Sequence, residues 1–72
     1  MKIEVSNKRL DALGRSEWDR IASPKTKRQA FAIAEKASKK SIETEVLCTD
    51  DEGDVCGHYY FENGKLKIDM AV

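Results

Sequence analysis

Seventy-two residues, 40% of them apolar and 36% charged, describe a single domain spanning 1–72 with a thin core and a densely charged surface. No apolar run approaches the ~20 residues needed to cross a bilayer, and residues 1–6 lack the apolar stretch of a secretory leader. The expectation is therefore a cytoplasmic protein with no membrane partner. The formal net charge of zero hides an asymmetry: residues 1–41 carry eleven bases against five acids, and residues 42–72 carry two against eight. If the halves form different faces, the molecule is a strong electrostatic dipole, which steers partners without choosing the fold.

Met1, Ile3 and Val5 alternate with Lys2 and Glu4 at the period of a half-buried strand. This strand should complete the sheet at one edge, with the choice of edge open. Leu10, Leu13, Trp18 and Ile21 fall within an arc of about 140° at helical spacing, which predicts helix over residues 7–22 with Trp18 in the core. Gly14 splits it in two, with Ser16 capping the second piece and Asp19 completing a weak capping box. Ser23-Pro24 reads as the start of a longer helix, an N-cap hydroxyl followed by proline in the first turn. That helix runs to about Lys40, with Ala30, Phe31, Ile33, Ala34 and Ala37 on its inner face. Lys25, Arg28, Lys36 and Lys39 lie within about 80° on the opposite face, joined by Lys40.

From Ser41 the pattern turns to strand: residues 42–49, 55–62 and 65–71 form an antiparallel meander. Asn63-Gly64 is a type I′ hairpin signal, because that turn needs positive φ at both central residues. Its two-residue loop places Phe61 opposite Leu66, Tyr59 opposite Ile68 and Gly57 opposite Met70. The loop around Asp50 to Asp54 allows two registers. A three-residue loop with Gly53 left-handed sets Cys48 opposite Cys56, whereas a two- or four-residue loop sets Val46 opposite Tyr59 and Thr44 opposite Phe61. Burial favours the second, since a one-residue slip would send the whole apolar set to solvent. Ile42, Val46, Cys48, Tyr59, Phe61, Leu66, Ile68 and Met70 then share the core face, and Cys48 and Cys56 lie on opposite faces without a disulfide. The outer face carries Glu43, Glu45, Leu47, Thr49, Cys56, His58, Tyr60, Glu62, Lys65, Lys67, Asp69 and Ala71, with a patch of Leu47, Cys56, His58 and Tyr60 at its centre.

Three chemistries compete with ordinary strand and turn roles. Cys56 and His58, with Cys48 and Asp69, would supply zinc donors, but the spacing matches no standard ligand pattern and Cys48 points inward. The Cys56–His58 pair as a nucleophile couple lacks a pocket and an oxyanion site. The acids around Gly53 lack the twelve-residue frame of a calcium loop and read as a solvated hairpin tip. No catalytic residue, cofactor or metal is assigned, and no enzymatic activity is expected.

The fold expected is α+β: a two-layer sandwich of order β-α-α-β-β-β, with helices on one face of a mostly antiparallel sheet. By size, charge density and lack of catalytic equipment the chain looks like the small accessory proteins of phages and mobile elements. Anti-CRISPR and other anti-defence inhibitors of that kind occupy a surface of a larger host complex. The expected function is accordingly protein binding, through Leu47, His58 and Tyr60 on the exposed sheet face and Asp50, Asp51, Glu52 and Asp54 on the acidic hairpin. A basic or nucleic-acid-binding complex is the partner this charge suits. The alternative is phosphate contact through Lys25, Arg28, Lys36, Lys39 and Lys40, weighed against a solvated helix face supported by a Glu35–Lys39 pair. A homodimer through a strand edge is a third possibility.

Overall fold

The computed structural model describes residues 1–70, so Ala71 on the expected third strand of the meander lies outside the described residues. The order is β1 (Lys2–Leu10), β2 (Ser16–Ala22), α1 (Lys27–Ala37), β3 (Thr44–Thr49), β4 (Val55–Glu62) and β5 (Lys65–Asp69). The protein is a small α+β domain with one helix and a five-stranded antiparallel sheet of order β2-β1-β3-β4-β5.

Residues 7–22, expected as helix, form the rest of β1, a turn and β2. The turn decides this. Asp11 Oδ1 accepts the N–H groups of Leu13 and Arg15, the Gly14 N–H reaches the Asp11 carbonyl, and Gly14 sits at φ +80°. A type I turn followed by a left-handed glycine closes a three-residue hairpin loop, and the Asp side chain holds it locally. The apolar spacing of Leu10, Leu13, Trp18 and Ile21 was therefore not a helical stripe: Leu13 is the loop tip at 77% exposure, and Trp18 lies in a strand. Because β2 takes the edge, β1 lies inside the sheet, bonded to β2 through residues 5–10 and to β3 through residues 2–7.

The helix begins three residues beyond the proline signal. Ser23 donates instead to the Ile3 carbonyl, and Thr26 is the N-cap, accepting from the Gln29 N–H at 3.1 Å. Thr26-x-x-Gln29 is a capping-box sequence, although the Gln29 side chain here accepts the Lys25 N–H. α1 ends at Ala37, short of Lys40, with Ser38 as its C-cap. The buried Ser38 then clasps the Asn63-Gly64 turn: its carbonyl accepts the Asn63 N–H and its hydroxyl accepts the Gly64 N–H at 2.8 Å.

Asn63 (φ 54°) and Gly64 (φ 82°) form the expected left-handed pair, with Glu62 opposite Lys65 and Phe61 opposite Leu66. Beyond that pair a bulge at Lys67 shifts β5 by one residue, so Ile68 faces Tyr60 and Asp69 faces Tyr59. Ile68 consequently leaves the core face expected for it. Met70, whose N–H bonds the His58 carbonyl, does not pair with Gly57. Leu66 keeps its register but is 44% exposed, and Ile42 is also exposed.

The β3–β4 hairpin combines the loop of one alternative with the register of the other. Its loop has three residues, with Gly53 at φ +89° and Asp50 Oδ1 holding the Glu52 and Asp54 N–H groups, the same arrangement as around Asp11. Val46 nevertheless faces Tyr59 and Thr44 faces Phe61, because Thr49 pairs with Val55, Cys48 pairs with Gly57, and Cys56 is the extra residue of a bulge. Cys56 packs against the core cluster and is not on the outer face as expected. Both cysteines are free thiols.

The core gathers Ile3, Val5, Val46, Cys48, Tyr59 and Phe61 from the sheet and Ala30 and Ala34 from α1. The two alanines bring the helix close to the strands, and Phe31 fills the flank, edge-on to Tyr59 and Phe61 at 4.9 and 5.1 Å. The Tyr59 ring occupies the space a Cβ at Gly57 would need. At the sheet's polar end the buried Thr44 hydroxyl donates to Asn7 Oδ1 at 2.7 Å, with the Ser41 hydroxyl beside both.

Candidate binding surfaces

Strand parity places Leu47, His58 and Tyr60 together on the face away from α1, as expected, each half-buried. Two departures enlarge this patch. Trp18, expected in the core, reaches across from β2 to meet the Tyr60 ring at 6.0 Å. Two strands lie between them, β1 with the small Ser6 and β3 with Glu45, its partner in the ladder. The Lys67 bulge supplies the second, setting Ile68 opposite Tyr60 on the same face. Trp18 is 39% exposed, Ile68 40% and Met70 45%. His58 leans against Tyr60 at 4.6 Å between centroids, while its Nε2 lies 2.7 Å from Glu45 Oε2. Burial, then the Glu45 carboxylate, holds the Tyr60 phenol above its usual range.

The carboxylates of this face are already committed. Glu4 meets Arg20 and Lys2, Glu43 and Glu62 share Lys67, and Glu45 takes His58. The surface is thus an aromatic and aliphatic centre ringed by internal ion pairs, a composition suited to a protein partner.

The acidic hairpin is less available than its sequence suggested. Asp50 is the turn-former, and Asp51 binds the amino terminus at 2.9 Å, which lowers its carboxyl pKa and raises that of the amine. Glu52 and Asp54 keep carboxylates outside any ion pair among the described residues.

Lys25, Arg28, Lys36, Lys39 and Lys40 are all exposed on the helix side, and none lies in an ion pair among the described residues. The expected Glu35–Lys39 pair does not form, because α1 stops at Ala37 and the Lys39 stem lies against Gly64 instead. Lys27, on the flank, sets its ammonium 4.7 Å from the Tyr59 ring centroid.

The structure separates the groups of the postulated metal and nucleophile sites. Cys48 lies in the core and Cys56 borders it, His58 points to the opposite face, and Asp69 pairs with Tyr59 on the helix side. Burial pushes the Cys48 thiol up, away from thiolate chemistry. No group of three or more His, Cys, Asp or Glu among the described residues is placed to hold a metal ion. No helix among them is long and apolar enough to cross a membrane.

Sequence reasoning missed Trp18, Ile68 and Met70 as surface residues. A signal for Trp18 was present: Asp11-Ala12-Leu13-Gly14 has the same Asp-to-Gly spacing as Asp50-Asp51-Glu52-Gly53 and marks a hairpin beside it. No local signal marks the Lys67 bulge. No protein-family model matches this chain, and comparisons with curated proteins and with solved structures find no match.

Proposed function

We propose that the protein is a non-enzymatic binding module that docks a partner protein on the sheet face opposite α1. The observation carrying this is the cluster of Trp18, Tyr60 and His58 with Leu47, Ile68 and Met70, partly exposed on a face that the single helix does not cover. Large exposed apolar patches mark interaction sites, and Trp and Tyr are the residues that most often anchor them. Glu52 and Asp54 add attraction for a basic rim on the partner. Masking a surface of a larger complex, as anti-CRISPR and other anti-defence inhibitors do, needs no chemistry beyond such docking.

The test is affinity purification from the native host, followed by isothermal titration calorimetry of the purified partner against each variant. Trp18→Ala and Ile68→Ser should each weaken binding by at least tenfold, consistent with a hot spot of about 2 kcal/mol or more. Glu52→Lys with Asp54→Lys should slow association, and a partner bond should shift the Trp18 emission to the blue. Partner binding unchanged in Trp18→Ala and Tyr60→Ala would refute the docking face. Light scattering showing a dimer that Trp18→Ala dissociates would replace the partner with a second copy of the chain.

A further inference from the structure

We infer that the solvent face of α1 is a second, independent surface that binds the phosphate backbone of duplex nucleic acid without sequence preference. Charge pairing differs between the two sides of the molecule. Along the sheet and its β1–β2 turn, Lys2, Arg9, Arg15, Arg20 and Lys67 each have a carboxylate partner, and only Lys8 and Lys65 have none among the described residues. On the helix side Lys25, Arg28, Lys36, Lys39 and Lys40 have none among the described residues, and Glu35 is the one acid within α1. Zero net charge is thus compatible with a strongly cationic face, since the sheet's acids are largely neutralised where they stand.

Helix stability accounts for only part of the stripe. Lys36 in the last turn, with Lys39 and Lys40 just beyond it, suits the negative end of the helix dipole, whereas the first turn of α1 contains no acid and carries Lys27 and Arg28, which oppose it. The chemistry of the face also selects its occupant. Ala32 is the only apolar residue among Arg28, Ala32, Glu35, Lys36 and Lys39, so the face lacks the aromatic or aliphatic anchor that a protein interface needs. It equally lacks the Trp, Phe or Leu that an interfacial helix sinks into a bilayer. A polyphosphate backbone requires only cations.

Within α1, Arg28 and Lys36 stand about 12 Å apart at the helical rise, with Lys25 preceding the helix and Lys39 and Lys40 following it. Duplex nucleic acid offers roughly one phosphate per 3.4 Å on one strand, so each of the five cations can meet its own phosphate. The Lys39 stem rests on the Asn63-Gly64 turn, its Cε only 2.7 Å from where a Gly64 Cβ would lie.

The experiment is fluorescence anisotropy of a labelled mixed-sequence DNA duplex titrated with the intact protein. Five phosphate contacts predict a log–log salt slope near −4.5, so affinity should fall about 500-fold between about 50 and 200 mM salt. Lys36→Gln with Lys39→Gln should reduce the slope to about −2.7 and the fall to about 40-fold. Trp18→Ala should leave both unchanged, which keeps this surface distinguishable from the docking face. Absence of binding at low salt, or a slope unaffected by the double substitution, overturns the proposal. So does equal retention on phosphatidylserine vesicles, which would assign the face to membranes.

Discussion

Deleting Cys56 should leave the fold intact, although the residue lies in a central strand. The three-residue loop around Gly53 and the pairing of Val46 with Tyr59 are compatible only because Cys56 is extra. Without it, Val55 opposite Thr49 leads directly to Gly57 opposite Cys48, and every side chain keeps its face. The loss is the partial burial of one small side chain, about 1 kcal/mol. The gain is a regular ladder pair, about 0.5–1.5 kcal/mol. The net change should lie within about 1 kcal/mol, or a Tm shift inside about 4–8 °C. Leu47 is the control, since β3 is paired on both sides with no slack at that position. Its deletion turns either the Thr44–Val46 end or the Cys48 end of the strand over. Expelling the fully buried Val46 costs about 1.5–3 kcal/mol, and drawing Glu45 inward costs several more. A chain of this length has only about 4–11 kcal/mol in total, so the Leu47 deletion should not fold. Urea unfolding followed by far-ultraviolet circular dichroism and Trp18 fluorescence measures both. An unfolded Cys56 deletion, or a Leu47 deletion as stable as the parent, would refute the bulge argument.

Gly64→Ala should cost about 1–2 kcal/mol by thermal melting, because φ +82° is left-handed; the neighbouring Lys39 stem can move aside. Gly57→Ala should cost about 1–3 kcal/mol for a different reason. Its Cβ would lie 3.0 Å from the Tyr59 ring and hydroxyl and would push the ring off Phe31, so loss of near-ultraviolet dichroism should accompany the drop. Asp11 titrates below its usual value because its carboxylate accepts the Arg15 and Leu13 N–H groups and pairs with the Arg15 side chain. Its contribution is therefore present above the ordinary carboxylate range and lost as pH falls through the depressed folded value. Protection factors of amides in the β1–β2 hairpin, corrected for the slower intrinsic exchange at low pH, should fall with acidification, and Asp11→Asn should remove that pH dependence.

The sequence determined what short-range chemistry determines. Asn63-Gly64 needs positive φ at two adjacent positions, so it could only be a tight hairpin. Burial alone aligned Val46 with Tyr59 and Thr44 with Phe61. Ala30 and Ala34, one helical turn apart, marked the side of α1 that meets the sheet, and the exposed patch of Leu47, His58 and Tyr60 followed from strand parity.

Tertiary structure decided the rest. Residues 7–22 carry apolar positions that fit a helix, and the hydrogen bonds of Asp11 together with a free edge on β1 converted them to a hairpin. That put Trp18 on the surface, so half of the proposed docking cluster was invisible to periodicity. Each bulge, at Ile21, Cys56 and Lys67, inserts one residue between a hairpin turn and the ladder beyond it. The bulge at Lys67 keeps the two-residue Asn63-Gly64 loop while turning the rest of β5 over against β4, which is why Ile68 faces Tyr60 and not the core.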